Sequence, residues 1–154
     1  MALESDADEL PIPALMRAAR GSYGLAVRDR LGAAGFDDLP GNGPFVLGGI
    51  VNRGVSAGDL IRQLGVSKQA ASQLVDTLVV RGYLERRVNP EDRRRMTLYV
   101  TERGRTAAAT VLATVQAIDE ELAERISPAG VASLRAGLVA LIEIRERMEG
   151  EAGS

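Results

Sequence analysis

The amino-acid sequence predicts a mainly α-helical fold with one small β-hairpin, arranged as a winged helix-turn-helix flanked by helices at both ends. Apolar residues recur at helical spacing near both termini. Two short helical stretches are separated by a glycine turn near residue 65, and a hairpin pattern follows residue 82. The hairpin lies in a segment, residues 81–105, that contains eight arginines, which is more positive charge than solubility alone requires.

The N-terminal part is predicted to contain two helices joined by a turn. Residues 10–33 have apolar residues at spacings of seven, four and four, at Met16, Tyr23, Val27 and Leu31. Residues 36–44 are rich in Pro, Gly, Asp and Asn, which favours a turn. A short apolar helix is expected over 45–52. The acidic residues 1–9 are expected to be a flexible terminus.

The middle of the chain is predicted to hold the helix-turn-helix. Ser56 is a good N-cap for a helix over 57–64, and Gly65 supplies the tight turn that follows it. Ser67 is predicted to cap a second helix that runs to about Arg81. This second helix has an apolar inner face at Leu74, Val75 and Leu78. Its outer face is polar, and it carries Lys68, Gln69, Ser72, Gln73 and Asp76.

The wing is predicted from strand propensity and turn chemistry. Gly82 is placed where a helix C-terminal glycine is expected. Strands over 83–88 and 96–101 are rich in β-branched and aromatic residues, and 89–92 contains Asn and Pro in a turn. Thr101 is predicted to cap the helix that follows.

The C-terminal part is predicted to form two long helices. The first has apolar residues at spacings of four, three, four and four, at Val111, Val115, Ile118, Leu122 and Ile126. Ser127-Pro128 indicates a stop and a restart, with Ser as the cap and Pro at the first helical position. The last helix has a heptad-like apolar seam at Val131, Leu134, Leu138, Leu141 and Met148.

Composition excludes several kinds of chemistry. The chain has 154 residues, no cysteine and no histidine, so disulfides, thiolate metal sites and histidine acid–base chemistry are impossible. No nucleophile–base arrangement and no phosphate-binding loop is evident, so we expect no enzyme activity, no cofactor and no metal. The N-terminus lacks the pattern of a signal peptide, and uninterrupted apolar runs fall short of a membrane span. A cytoplasmic protein is therefore expected.

Charge is unevenly distributed along the chain. The formal net charge is −2, but residues 56–105 contain ten Lys or Arg and six Asp or Glu. The remainder of the chain is therefore acidic. A globally acidic protein can still bind nucleic acid when its positive charge lies on one surface.

These motifs resemble those of the MarR family, the multiple-antibiotic-resistance type of bacterial transcriptional regulators, over nearly the whole chain. Residues 92–94 (Asp-Arg-Arg) followed by 100–104 (Val-Thr-Glu-Arg-Gly) are similar to the family's D-x-R wing tip and L-T-x-x-G motif, with Val where Leu is usual. Residues 66–78 resemble its recognition helix, and 81–86 resemble its basic-Gly-x-x-x-Arg entry to the wing. Asn89 stands where many members have Asp.

The resemblance implies a homodimer in which residues 10–53 and 102–149 supply the dimerisation helices and 54–101 form the DNA-binding lobe. The recognition helices would enter successive major grooves of a pseudo-palindromic operator, and the wings would reach into the flanking minor grooves. Repression is the commoner outcome in the family. The operator, the regulated genes and the direction of regulation are open at this point.

Side-chain chemistry then divides the expected DNA contacts. Glutamine and serine on the outer face are candidates for base edges, and Arg94 is the candidate for minor-groove insertion, positioned by Asp92. Lys68, the Ser67 end of the helix and the remaining wing arginines are candidates for phosphates or for acidic partners. The predicted DNA-binding residues are Ser67, Lys68, Gln69, Ser72, Gln73, Arg86, Arg87, Asp92, Arg93, Arg94 and Arg95.

The resemblance also implies a small phenolic or anionic effector that releases DNA, held between the dimerisation helices and the DNA-binding lobe. The residues expected to line such a pocket are Arg20, Tyr23, Phe45 and Val111. A core residue would have the same appearance in the sequence. The absence of cysteine excludes peroxide sensing by a thiol, and the absence of histidine argues against zinc sensing.

Simpler interpretations stay open beside these. The polar helix face could be an ordinary solvated surface, Ser67 could be only a cap, and the arginine tip could only protect a sheet edge. Arg103 and Arg105 are expected to form surface pairs. The alternative function is a winged helix that binds another protein and no DNA.

Overall fold

A computed structural model describes residues 10–53, 67–88 and 96–152 of the chain. Its elements are α1 (Ile12–Ala33), α2 (Gly43–Arg53), α3 (Lys68–Val80), β1 (Leu84–Val88), β2 (Met96–Val100) and α4 (Glu102–Ala152). The chain divides into two compact units between Val115 and Gln116. The predicted helix over 57–64 and the predicted turn over 89–92 lie outside the described residues.

Two helices of the first unit end in the same glycine-dependent way. Gly35 after α1 and Gly82 after α3 have φ angles of 79° and 74°, which glycine adopts without strain. The amides of the next residues, Phe36 and Tyr83, donate to the carbonyls five residues earlier at 2.8 and 2.9 Å. These are Schellman motifs, and they place the two aromatic rings 6.3 Å apart between centroids.

The core of the first unit is aliphatic with two aromatic rings. Helices α1, α2 and α3, the hairpin and the start of α4 all contribute to it. The large side chains of Leu47, Leu78 and Tyr83 are wholly buried in it. Its members are Val27, Leu31, Phe36, Val46, Leu47, Val75, Leu78, Tyr83, Leu84, Ala107, Ala108 and Val111.

The wing is a two-stranded antiparallel hairpin in which Leu84 pairs with Val100 and Val88 with Met96. Each strand is one residue shorter than predicted. Tyr83 lies between α3 and β1, and its amide donates to the Leu78 carbonyl of α3. The amide of Thr101 donates to the Tyr83 carbonyl at 3.1 Å, and the Thr101 side chain caps α4. At the open end of the hairpin, Tyr83 and Thr101 therefore take part in ending α3 and capping α4, and neither is part of a strand.

Helix α4 continues into the second unit and is interrupted at Ser127, which has φ 67° and ψ 159°. The Ser127 hydroxyl accepts a hydrogen bond from the amide of Gly130 at 3.2 Å. The predicted stop and restart at Ser127-Pro128 is thus confirmed. Arg135 pairs with Asp119 at 2.7 Å, which joins the two sides of the interruption.

In the described part of the chain, one helix, Glu102–Glu151, is long and apolar enough by length and composition to cross a membrane. None of its most apolar 18-residue stretch is buried within the chain. This helix contains the Ser127 interruption and the Arg135–Asp119 ion pair. The apolar side chains of this stretch are therefore not covered by the rest of the described chain.

Candidate nucleic-acid interface

The predicted recognition helix is α3, and it begins where the sequence indicates. The hydroxyl of Ser67 accepts a hydrogen bond from the amide of Ala70 at 3.2 Å, so Ser67 is the N-cap. Val75 and Leu78 are buried, and Leu74 packs against the core. The inner face of the helix is therefore the one that the sequence predicts.

The outer face of α3 is open to solvent. The side chains of Lys68, Gln69, Ser72 and Gln73 are all exposed, as expected for groups that meet a partner from outside the chain. Amide and hydroxyl side chains can both donate and accept hydrogen bonds, which suits them to the edges of base pairs. The geometry thus presents the predicted base-reading groups on one accessible surface.

An ion pair joins this helix to the wing. The Arg86 guanidinium on β1 donates to the carboxylate of Asp76, on the outer side of α3. Both side chains are about half exposed. The wing strand and the recognition helix are therefore connected directly at the surface where DNA is expected.

The second described wing arginine also has partners within the chain. Arg87 pairs with Glu85 and lies over the ring of Tyr99, 5.2 Å from its centroid. Its side chain is 61% exposed, so its charge is still accessible to a partner. The structure therefore gives both Arg86 and Arg87 acidic neighbours, one of the two roles that the sequence allowed. Asp92, Arg93, Arg94 and Arg95 lie outside the described residues.

A polar and aromatic cluster that the sequence did not predict lies at the base of the wing. We call it the junction cluster, and its members are Phe36, Asp38, Arg81, Tyr83 and Arg103. Arg103 donates to the Asp38 carboxylate at 2.9 Å and to the Tyr83 hydroxyl at 3.0 Å. The Tyr83 hydroxyl donates to the same Asp38 carboxylate, and Arg81 donates to the Asp38 backbone carbonyl.

The guanidinium of Arg103 also lies over two aromatic rings. It is 4.7 Å from the ring centroid of Tyr83 and 5.4 Å from that of Phe36, which are favourable cation–π distances. Arg103 was expected to form a surface pair, and its ion pair with Asp38 has that character, since both side chains are about 40% exposed. The stacking on two core rings is an additional role.

Electrostatics in the cluster favour a charged Asp38 and a neutral Tyr83. The hydrogen bond from Tyr83, aided by Arg103, holds the pKa of the Asp38 carboxyl below its usual value. Burial, together with the hydrogen bond to Asp38, raises the pKa of the Tyr83 hydroxyl to about 12. The hydroxyl thus stays a donor to the carboxylate throughout the physiological range.

The Thr-x-x-Gly motif of residues 101–104 closes the same junction from the other side. The Thr101 hydroxyl caps α4 by accepting from the Gly104 amide at 3.0 Å, and it donates toward the carbonyls of Gly82 at 2.5 Å and Tyr83 at 3.1 Å. A Cβ on Gly104 would overlap the Tyr83 carbonyl oxygen and lie 2.8 Å from Val100 Cγ1. Glycine is required here because the start of α4 touches the backbone that leads into the wing.

The first unit also contains a cleft of about 530 Å³ along α1. Arg20 and Phe45 line it, as predicted, and Arg20 is held by Asn42 through a hydrogen bond of 3.0 Å. Two further arginines, Arg17 and Arg28, are also in its wall. The cleft therefore combines several positive charges with apolar surface.

Two other predicted ligand residues lie elsewhere. Tyr23 is half-buried on α1 and is not among the residues of the cleft wall. Val111 is 2% exposed and belongs to the core. Its helical periodicity is explained by that packing. The structure therefore brings together two of the four predicted ligand residues, Arg20 and Phe45.

The fold and the exposed polar helix beside a basic hairpin define a winged-helix protein. Residues 38–95 match the model of the MarR family. The fold resembles the reduced form of MarR from E. coli, with a TM-score of 0.62 at 23% identity, covering 86% of this chain and 96% of that one. It also resembles MepR of S. aureus in a MepR–DNA complex, with a TM-score of 0.69 at 17% identity, covering 88% and 96%.

A curated relative is similar over part of the chain. The uncharacterized protein Rv2011c of Mycobacterium tuberculosis is 29% identical over 93 residues. The match covers 60% of this chain and 65% of that protein, just under two thirds of its length.

Proposed function

We propose that the protein is a sequence-specific transcriptional regulator that binds a pseudo-palindromic operator as a homodimer. The observation that carries this proposal is the exposed polar face of α3, joined through the Arg86–Asp76 ion pair to a hairpin rich in arginine. The presence of a MepR–DNA complex among the similar folds supports it. A cytoplasmic location follows from this role.

The outer face of α3 would read the major groove. Gln69, Ser72 and Gln73 would contact base edges, and a glutamine can pair bidentately with adenine. Lys68 and the capped N-terminus of the helix at Ser67 would contact phosphates, since a helix N-terminus favours an anion. The outer face of α3 would therefore supply sequence specificity, and its N-terminus would supply affinity that does not depend on sequence.

The wing would supply the remaining contacts. On binding DNA, Arg86 and Arg87 would either leave their carboxylate partners for phosphates or contact a carboxylate and a phosphate at the same time. From the sequence, Arg94 would enter the minor groove, held by Asp92, with Arg93 and Arg95 on the backbone. Binding should therefore depend strongly on salt.

A second copy of the chain would cover the exposed apolar surface of the second unit. Beyond Ser127, seven large apolar side chains are between 37% and 61% exposed, and exposed apolar surface on this scale is typical of an interaction site. They are Leu134, Leu138, Val139, Leu141, Ile142, Ile144 and Met148. Pairing with a second copy would bury this surface and supply the two-fold symmetry that a palindromic site requires.

Repression relieved by a small anionic effector is the mode of regulation that we propose. The cleft of about 530 Å³ has Arg17, Arg20 and Arg28 in its wall, with Phe45 as an aromatic surface. A planar anion would meet both charge and apolar area there. An effector that releases DNA must bind the DNA-free form more tightly, and DNA must weaken the effector by the same factor.

Fluorescence anisotropy on a labelled mixed-sequence duplex, across a range of salt concentrations, tests the proposed function. The affinity should fall steeply as salt rises, because bound phosphates release counterions. Arg94→Ala should weaken binding and flatten the salt slope, whereas Arg125→Met, which removes an exposed charge in the second unit, should change neither. No binding at low salt by a folded dimer would instead favour a protein partner.

A further inference from the structure

We propose that Arg103 is a positioning residue for DNA binding, which acts through the junction cluster and makes no contact with DNA itself. Its guanidinium holds the start of the wing and the end of the recognition helix against the segment that follows α1. The orientation of both DNA-binding elements would then depend on a side chain outside the binding surface. This inference rests on the proposed DNA binding.

The contacts of Arg103 reach two separate segments of the chain, the α1–α2 connection and the link between α3 and β1. It bonds to Asp38 in the α1–α2 connection, and it bonds to and stacks on Tyr83, the residue between α3 and β1. It also stacks on Phe36, the residue after the Schellman glycine of α1. A single planar cation thereby ties together segments that are 65 and 20 residues away from it.

The cluster is continuous with the recognition helix. Arg81, the C-terminal cap of α3, donates to the Asp38 backbone carbonyl, so the end of α3 is held by the same loop. Tyr83 leads directly into β1, whose Arg86 is paired with Asp76 on α3. A shift of Asp38 would therefore be transmitted to the last turn of α3 and to the first strand of the wing.

The same loop also borders the cleft. Phe36, Asp37 and Leu39 are in the cleft wall, and Asp38 lies between them in the sequence. The junction cluster and the cleft thus share one segment of backbone. This places the cluster where a change in the cleft wall would reach both DNA-binding elements.

A direct phosphate contact is the competing role for Arg103, since its side chain is 42% exposed. The two roles predict opposite effects for Asp38→Asn. If Arg103 binds phosphate, removing a nearby negative charge leaves DNA affinity unchanged or raises it. If Arg103 is a positioning residue, the same change loosens its anchor and lowers affinity.

The test measures the DNA affinity of the full-length chain and of Arg103→Met, Asp38→Asn and Tyr83→Phe, with the same duplex over a range of salt concentrations. Arg125→Met is the control for the loss of one positive charge. Arg103→Met and Asp38→Asn should each weaken binding about three- to tenfold, with an unchanged salt slope, because they alter a coupled network and remove no phosphate contact. Tyr83→Phe, which keeps the ring, should weaken binding less.

A salt slope that falls by about one unit in Arg103→Met, together with equal or tighter binding by Asp38→Asn, would assign Arg103 to a phosphate and overturn the proposal. Equal binding by all three variants and the wild type would also overturn it.

Amide hydrogen exchange separates this inference from the proposed function. The amides of Gly82, Tyr83 and Thr101 are hydrogen-bonded at the junction. In Asp38→Asn they should exchange faster, while amides within α2 stay unchanged. If the wild type binds no DNA, the proposed function fails, and faster exchange still supports the anchoring role. Unchanged exchange at these amides would overturn that role as well.

Discussion

Substitution of Gly104 by alanine offers a sharp test of how the wing is joined to α4. Alanine in a helix is normally more stable than glycine by about 1 kcal/mol. At Gly104, however, the added Cβ would overlap the Tyr83 carbonyl oxygen and lie 2.8 Å from Val100 Cγ1, where carbons normally stay at about 3.5–4.0 Å. The overlapped carbonyl cannot move away without loosening its bonds from the Thr101 amide and hydroxyl.

The size of the effect follows from these opposing contributions. Overpacking a tight site costs about 1–3 kcal/mol, and the helix preference returns part of it, so we expect a net loss of about 1–2 kcal/mol. With a urea m-value of about 2 kcal/mol/M, the unfolding midpoint should fall by about 0.5–1 M. The measurement is urea unfolding followed by circular dichroism at fixed protein concentration.

Gly48→Ala is the matched control. Gly48 is buried in α2, and a Cβ there would meet Val111 Cγ1 at 3.5 Å, an ordinary contact. This substitution should therefore raise the free energy of unfolding by about 0.5–1 kcal/mol. Stabilisation by both alanines would refute the close approach of α4 to the wing. Destabilisation by Gly104→Ala alone would support it.

Three further predictions concern caps, core and pH. Ser67→Ala should lower the free energy of unfolding by about 1 kcal/mol, because it removes the cap of α3; equal midpoints in urea would contradict this. Leu47→Ala should cost about 2–5 kcal/mol, because Leu47 is wholly buried, and a thermal melt close to that of the wild type would exclude it. Stability should fall between pH 10 and about 12, because the unfolded tyrosine ionises while Tyr83, with its raised pKa, stays neutral; Tyr83→Phe should lose less stability over the same range.

Local chemistry allowed much of the fold to be predicted from the sequence. Ser67, Thr101 and Ser127 cap helices in the structure, because each cap depends on a side chain and an amide three residues later. Gly82 adopts the expected positive φ for the same local reason. The apolar face of α3 was predictable because its spacing alone determines which residues are buried.

The junction cluster was not predictable, because its pairing is non-local. Asp38 and Arg103 are 65 residues apart, and nothing in the sequence selects Asp38 over other carboxylates as the partner of this arginine. The adjacent glycines gave the available signal, since Gly35 and Gly82 each precede an aromatic residue. That pattern predicts two helix ends, but it does not predict that the two rings meet under one guanidinium.

The position of Val111 shows that helical spacing cannot distinguish a residue of a pocket from a residue of the core. Its helical spacing is compatible with a pocket or a core, and the structure places it in the core, 2% exposed. Arg20 carries a charge that a core would not accept without a partner, and it lies in the cleft wall, held by Asn42. Apolar spacing alone therefore did not distinguish Val111, which is in the core, from Phe45, which lines the cleft.

Selection from a pool of randomised DNA duplexes, followed by sequencing of the retained molecules, tests the central claim most directly. The wild type should enrich a pseudo-palindrome with half-sites about one helical turn apart. Gln73→Ala should change the preferred bases, and Arg94→Ala should weaken retention for all sequences. A folded dimer that enriches no sequence at low salt would contradict the assignment of α3 as a recognition helix.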